Sequence, residues 1–386
     1  MKRITLLKLL TLFLFSCLVA CNFNNTDKHT EPNTVNSFSD TTTIQYAKGF
    51  TISYHGNYKV LTVLTPWKDA KEQFKYILVQ KGTPVPKGYE QNQIIEIPVK
   101  YVISLSSLFS TCISTLGYSN EIIGIDSKQW VCDSLVKSRI KTGKITEVCT
   151  PALNIEKVMQ LQPGLVFAFG GGNPKYDAHP KLLEAGIKVA IVADHQETSP
   201  LGRAEWLKFF AAFFNAEKQA DSLFSNISKS YNEVKQLTTN VNKHPTVFTS
   251  VKYGDIWYMP GGNSFMASIL KDAGANYPWA NDTSKGTLPL SFETVYSMAA
   301  KAQYWLNISD FTSLTEVANA DIRYKQFEAF KTGGLWNNNL RLNELGGNDY
   351  WNAGMINPQL VLADLIKIFH PELLPQHQFV YYKNLK

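Results

Sequence analysis

The sequence has little of what a metal-dependent or nucleophilic enzyme requires. Its seven histidines are dispersed over 386 residues. They form no H-E-x-x-H pair and no cluster of imidazoles that would grip a free metal ion. There is no G-x-S-x-G elbow. Two S-x-x-K matches, Ser134 with Lys137 and Ser138 with Lys141, stand without S-D-N or K-T-G, and so short a pattern is expected by chance. The stretch "FGGGNP" follows an apolar run as a phosphate loop would, but Lys175 replaces the third glycine of G-x-G-x-x-G and no G-K-[ST] follows. Its glycines read instead as a tight turn bordering a cleft. No nucleophile, no metal site and no cofactor is identifiable, and the reading is of a protein that is not an enzyme.

Excess charge is also scarce. The formal net charge is +6, and three of the positives, Lys2, Arg3 and Lys8, lie in an N-terminal leader, so the excess halves when the leader is removed. No basic run is interleaved with aromatic residues, which excludes nucleic acid as the expected partner. Of five cysteines, Cys17 and Cys21 belong to the leader region, leaving Cys112, Cys132 and Cys149. Cys112 sits in an apolar helical pattern and reads as a buried thiol. Cys132 and Cys149 flank a polar segment and either bridge or stay free. With no histidine at ligand spacing, a structural zinc site is not expected.

What is present begins with the leader. "MKRITLLKLLTLFLFSCLVAC" has a basic start, an apolar stretch too short for a membrane span, and Ala20 immediately before Cys21. It resembles a bacterial lipoprotein signal, which implies cleavage of residues 1–20 and lipidation of Cys21, holding the protein on the membrane by acyl chains worth roughly 0.8 kcal/mol per buried CH₂. The polar, Asn- and Thr-rich residues 21–43 read as a flexible tether.

The remaining chain is too long for one ordinary hydrophobic core and reads as two lobes. Alternating apolar residues over 50–79 predict a β-hairpin or meander. From Tyr101 onward, short apolar strands alternate with amphipathic helices, the signature of a mainly parallel sheet covered on both faces. Residues 202–241 contain no proline and keep helical spacing, predicting one long interlobe helix between an N-terminal lobe of 44–201 and a C-terminal lobe of 242–386. The second lobe then repeats the first: "SILKDAGANYPWAND" echoes "STLGYSNEIIGID" as helix, glycine stop and strand. The fold class is α/β, two Rossmann-like lobes joined by one long helix, with an extra N-terminal β segment.

The repeat reaches individual side chains. "ALNIEKVMQLQPGLVFAF" and "PLSFETVYSMAAKAQYWLN" each run from a polar cap through an apolar residue and a glutamate into a helix and then a strand, with Glu156 and Glu293 at matching places. Helix capping accounts for each glutamate singly, because a first-turn carboxylate gains roughly 0.3–1 kcal/mol from the helix dipole. It does not account for the shared surroundings.

From about Tyr101 to His370 the chain resembles the class III periplasmic substrate-binding proteins of siderophore, haem and cobalamin ABC importers. The carriers are "LNIEKVMQLQPGLVFAFGGGN", "LSFETV", "PGGNSFMASILKDAGANY" and "NPQLVLADLIKIFHPELL". Gly164 departs from the family's usual aspartate at a turn. The resemblance implies a monomer on the periplasmic side of the cell envelope that binds a metal chelate, siderophore-iron or haem, with cobalamin as the alternative ligand and an envelope lipoprotein enzyme as the alternative of another class. It also implies docking on an inner-membrane ABC permease through Glu156 and Glu293. Ligands collect beyond the ends of parallel strands, and flat aromatic planes suit such chelates. Trp130, Phe169, Trp257, Tyr258, Trp279, Trp336 and Trp351 are the candidate walls. Arg203, at the expected hinge, is either a contact for an anionic chelate or a solvated first-turn residue.

Overall fold

The structure, a computed structural model, describes residues 38–149 and 151–386. The signal peptide, Cys21 and most of the tether therefore lie outside the described residues. Among those described, no helix is long and apolar enough to cross a membrane.

The N-terminal β segment is larger than a hairpin. Strands β1 (Phe50–His55), β2 (Tyr58–Val63) and β3 (Phe74–Gln80) pair antiparallel, and β4 (Ile94–Ile97) joins parallel to β3. The first lobe proper is a five-stranded parallel sheet of β5 (Val102–Ser104), β6 (Ile122–Ile125), β7 (Thr146–Glu147), β8 (Leu165–Ala168) and β9 (Val189–Ile191), in the order β7-β6-β5-β8-β9. All four residues of β8 are buried, as expected for a strand covered on both faces. Helices Ser107–Thr115, Ser134–Lys141, Ile155–Leu161 and His179–Glu184 connect them.

In the second lobe, β10 (Val247–Thr249), β14 (Tyr304–Leu306) and β15 (Leu335–Asn337) pair in parallel, with β16 (Lys383–Asn384) antiparallel at the edge. A separate antiparallel sheet holds β11 (Lys252–Tyr253), β12 (Ile256–Pro260) and β13 (Thr287–Leu290). The repeat is real at its centre and incomplete at its flank. Helix Phe265–Asp272 is followed by Gly274 at φ 74°, as expected, but the "ANYPWAND" stretch forms no strand and contributes one isolated bridge, Asn276 to Thr246. Pro278 lacks the N–H that a ladder would use.

The interlobe segment is helical but broken, which corrects the single helix expected over 202–241. It runs as Pro200–Ala204, Leu207–Phe214 and Glu217–Gln236. Asn215, at φ 55°, takes the left-handed conformation that ends a helix, and the chain restarts two residues later. The 20-residue last piece is the connector, burying Ala220, Phe224, Ile227 and Tyr231 at steps of four, three and four residues.

These breaks let the middle helix become core. All eight residues of "LKFFAAFF" are buried. Phe210 and Phe213 meet Phe167 of the first-lobe sheet at 5.1 and 5.2 Å between ring centroids. On the other side Phe209 meets Phe50 at 5.7 Å and Phe213 meets Tyr76 at 6.2 Å. The added sheet is therefore the cover without which this helix would expose its second apolar face. Each phenylalanine so buried contributes roughly 1.5–3 kcal/mol.

Ionic ties fix the same cover. Lys59 of β2 and Glu217 are both buried and ion-paired, and the ammonium also donates to Ala212 O at 2.9 Å and Asn215 Oδ1 at 2.8 Å. Glu205 accepts the backbone N–H groups of Gln45, Tyr46 and Ala47 at the expected start of the lobe, and Thr42, whose N donates to the Tyr54 hydroxyl at 3.0 Å, carries the folded body into the last residues of the expected tether.

Candidate functional site

The parallel strands of both lobes end at a cleft. Two cavities open there, sharing Trp130 as a common wall. The first, about 550 Å³, lies in the first lobe beyond β5, β6 and β8, and is lined by Asp126, Trp130, Glu147, Cys149, Phe169 and Tyr176 among others. The second, about 460 Å³, lies between the lobes. Ser107 and Trp130 line it on one side, and Asn307, Asn338, Asn339, Trp351 and Asn352 on the other. Trp130, Phe169 and Trp351 are each about half exposed and line these cavities.

Trp130 is held from both sides. Its short helical turn, Lys128–Trp130, is capped by Ser127, whose hydroxyl accepts from Gln129 N. From the second lobe, Asn343 Nδ2 donates to Gln129 O at 2.8 Å and Val131 O at 2.9 Å. Asn352 Nδ2 donates to Trp130 O at 3.1 Å. Lys137 and Glu344 add an interlobe ion pair.

The other expected ligand residues lie elsewhere. Trp257 is wholly buried, donates to Thr249 O at 3.0 Å and packs on Trp305, because alternation along β12 turns Trp257 and Met259 inward. The same alternation turns Tyr258 outward, where it lines neither cavity. Trp279 is buried against Tyr277, and Trp336 meets Phe379 at 4.9 Å with tilted ring planes beside a different recess. These four leave the set of cleft walls. Arg203 is neither solvated nor free for an anion. Its Nε lies 2.9 Å from Asp194 Oδ2 and its guanidinium covers the Phe265 ring, a sealed contact where the lobes join. Neither candidate cysteine is bridged: all three described cysteines are free. Cys132 Sγ faces the second lobe, 3.5 Å from Gly347 O, while Cys149 lines the first cavity, and burial pushes each thiol up to about 11.

Several cleft groups escaped sequence reasoning. Asp126, at the end of β6, has one buried oxygen without a partner, and burial pushes its carboxyl up to about 6. Asn338, Asn339 and Asn352 are 3, 3 and 2% exposed, yet Asn338 Nδ2, Asn339 Oδ1 and Asn352 Oδ1 have no protein partner. The signal was visible in "WNNN", three amides directly after an apolar strand, where polar residues have no reason to be buried unless something bonds them. Trp67, from the added sheet, also went unnoticed. A Cβ placed on Gly170 or Gly172 would come within 2.8 or 2.6 Å of its ring, so the glycines of "FGGGN" make room for Trp67 as well as turning the chain. Gly164 has a similar cause, since a Cβ there would lie 2.4 Å from Lys100 O.

Glu156 and Glu293 occupy equivalent places. Each lies in the first turn of a helix, capped by Asn154 and Ser291, that feeds the strand pairing in parallel with its lobe's first strand: β8 on β5, β14 on β10. Both are exposed. Glu156 has no side-chain partner among the described residues, and Glu293 lies 3.5 Å from Arg323. Each helix also presents an exposed methionine, Met159 and Met298.

Comparison with known proteins bears on this architecture. The family described as periplasmic binding protein matches residues 102–333, more than half of the chain. The chain belongs to that family. An uncharacterized lipoprotein of Methanocaldococcus jannaschii is 26% identical to this binding protein, over 96% of its chain and 94% of the relative. An uncharacterized ABC transporter substrate-binding lipoprotein of Bacillus subtilis is 25% identical, over 53% of this chain and 65% of the relative. Among solved structures, a periplasmic haem-binding protein of Roseiflexus superposes with a TM-score of 0.54 at 17% identity, covering 71% of this binding protein and 99% of that chain. That likeness shows the two-lobe fold.

Proposed function

We propose that this periplasmic binding protein is a lipid-anchored capture protein that binds a metal chelate, of the siderophore-iron, haem or cobalamin kind, between its lobes and delivers it to an ABC permease. The observation that carries the reading is the shared wall. Trp130 stands half exposed between two cavities, with Trp351 across the interlobe one and Phe169 within the first-lobe one. Together these cavities suit a broad ligand with flat or greasy faces, and such concave sites at lobe junctions are where small molecules bind. The leader's lipobox, and lipoprotein relatives covering nearly the whole chain, support anchorage at Cys21 in the cell envelope.

Delivery rests on Glu156 and Glu293. One exposed carboxylate per lobe, on helices in equivalent positions, lets a permease bearing two basic patches sense both lobes at once. Charge-assisted hydrogen bonds at such an interface are stronger than neutral ones and steer encounter. The exposed methionines beside them offer adaptable apolar contact.

Titration of the protein with ferric siderophores, haem and cyanocobalamin, following tryptophan fluorescence, tests capture. Saturable quenching that is lost in Trp130→Ala is the expected result. Quenching by none of the three classes contradicts the reading.

A further inference from the structure

The charged groups facing the two cavities are of one sign. Asp126, Glu147 and Asp177 line the first, and Asp310 the second, while no lysine or arginine lines either. Lys128, between Ser127 and Trp130, lines neither cavity, and the other cations nearby are engaged. Arg203 is paired with Asp194, Arg341 lies 3.0 Å from Asp349, Lys137 holds Glu344, and Lys175 rests 5.5 Å from the centre of the Tyr176 ring. Of the acids, Glu147 accepts from Lys128 N at 3.1 Å, Asp177 from Gly171 N at 2.8 Å and Asn173 N at 3.0 Å, and Asp310 from the Ser309 hydroxyl at 3.1 Å, whereas one Asp126 oxygen is buried with nothing to accept from.

A second feature points the same way. Asn338, Asn339 and Asn352 bring unpartnered amide groups to the interlobe cavity while being almost wholly buried. Their orientations are fixed: Asn339 Nδ2 donates to Phe311 O at 3.1 Å and Asn352 Nδ2 to Trp130 O, which leaves both Oδ1 atoms as acceptors. Buried acceptors of this kind cost free energy unless a donor reaches them. Two amide oxygens, a carboxylate oxygen and the Asn338 amide N–H thus lie buried and unpartnered in residues of the cleft wall, beside three aromatic rings whose faces attract cations.

We infer that the cleft selects by charge: its ligand is a neutral or cationic chelate whose rim carries amide or ammonium N–H groups, and chelates bearing free carboxylates or other net negative charge are rejected. This rests on the reading of the protein as a chelate-capture protein and narrows the class it takes. A carboxylate entering the cleft would meet Asp126 and the amide oxygens without a counter-charge, and a buried like-charge contact is a strong device for excluding a competitor.

The test compares scaffolds in paired forms, by fluorescence and calorimetric titration of the full chain. A ferric trishydroxamate bearing a free ammonium is set against the same chelate succinylated. A corrinoid with all side-chain amides intact is set against its partly hydrolysed carboxylate form, and haem against its diamide. In whichever scaffold binds, the form without carboxylates is expected to bind tighter by about tenfold or more, a difference of about 1.4 kcal/mol. Asp126→Asn should shrink the preference for the ammonium-bearing trishydroxamate over its neutral acetylated form, with thermal unfolding recorded to confirm that the variant folds. Equal or tighter binding of the carboxylate form overturns charge selection and leaves chelate capture standing. Binding of no scaffold in either form removes chelate capture, and this inference with it.

Discussion

The side-chain amide of Asn352 donates to the main-chain carbonyl of Trp130, 3.1 Å away and 222 residues distant in sequence. With the two hydrogen bonds from Asn343 to Gln129 and Val131, it ties the aromatic wall of the cleft to the opposite lobe. The same hydrogen bonds thus join the lobes and position Trp130.

Asn343→Ala removes two of these interlobe hydrogen bonds, worth together about 1–3 kcal/mol of lobe association. Chelate affinity is expected to fall correspondingly, while the unfolding temperature moves little because Asn343 is not part of the hydrophobic core that runs through both lobes. Titration and thermal denaturation of the same preparation check this. A lower unfolding temperature with unchanged affinity would assign Asn343 a purely local role.

Trp67 links the added sheet to the first-lobe cavity. It packs on Gly170 and Gly172, stacks on His179 at 5.8 Å, and so holds the turn that begins with Phe169. Trp67→Ala is expected to cost about 1–3 kcal/mol, less than for a fully buried tryptophan because the ring is only partly covered. It should also weaken chelate binding through Phe169. Gly170→Ala, which pushes a methyl into the ring, should do the same with a smaller loss of buried area. Urea denaturation and fluorescence titration read the two effects separately.

Lys59 and Glu217 form a buried pair between the added sheet and the connector helix. Burial lowers the affinity of Lys59 for its proton and raises that of Glu217, and their mutual attraction opposes both. Lys59→Ala leaves an uncompensated carboxylate and is expected to destabilise by about 3–5 kcal/mol. The double change Lys59→Met with Glu217→Gln should recover much of that loss. Urea midpoints for the single and double variants decide it.

Asp126 makes stability depend on pH. Burial raises its carboxyl from 3.8 to about 6 in the folded chain. Between those values the native state holds more protons than the unfolded state, so this group's contribution falls as pH rises through the window and levels off above about 6. Asp126→Asn removes the slope and should stabilise by about 1–3 kcal/mol at pH 7, with the gain vanishing near pH 4. Stability of both proteins measured across pH 4–8 gives the difference directly. For a cationic chelate the sign is opposite: affinity that depends on ionised Asp126 is present above about pH 6 and lost below it.

How much of this was legible in the sequence depends on the kind of residue. The strands and short helices of the parallel sheets follow apolar periodicity, and Gly117 and Gly274 close helices at φ 81° and 74° as read. The long helix was misjudged because Asn215 carries the break, and an asparagine announces a left-handed turn less loudly than glycine or proline does. Trp257 and Trp130 look alike in sequence, each beside polar or turn residues. What separates them is the inward phase of β12 and the position of residues 128–130 at a strand end, neither of which composition reveals. The buried asparagines went unread because a polar residue is assumed exposed until the fold closes over it. Trp67 could not be paired with "FGGGN" at all, since that contact spans about a hundred residues and depends on how the added sheet docks.

The measurement that bears most directly on the central claim is ATP hydrolysis by the partner ABC importer in lipid vesicles, stimulated by chelate-loaded protein, with Glu156→Lys and Glu293→Lys singly and together. Chelate affinity is measured on the same preparations. The expected result is that each reversal weakens stimulation, the double reversal abolishes it, and affinity for the chelate is unchanged. Full stimulation by the double variant, or loss of chelate affinity in its place, would contradict paired docking through the two lobes.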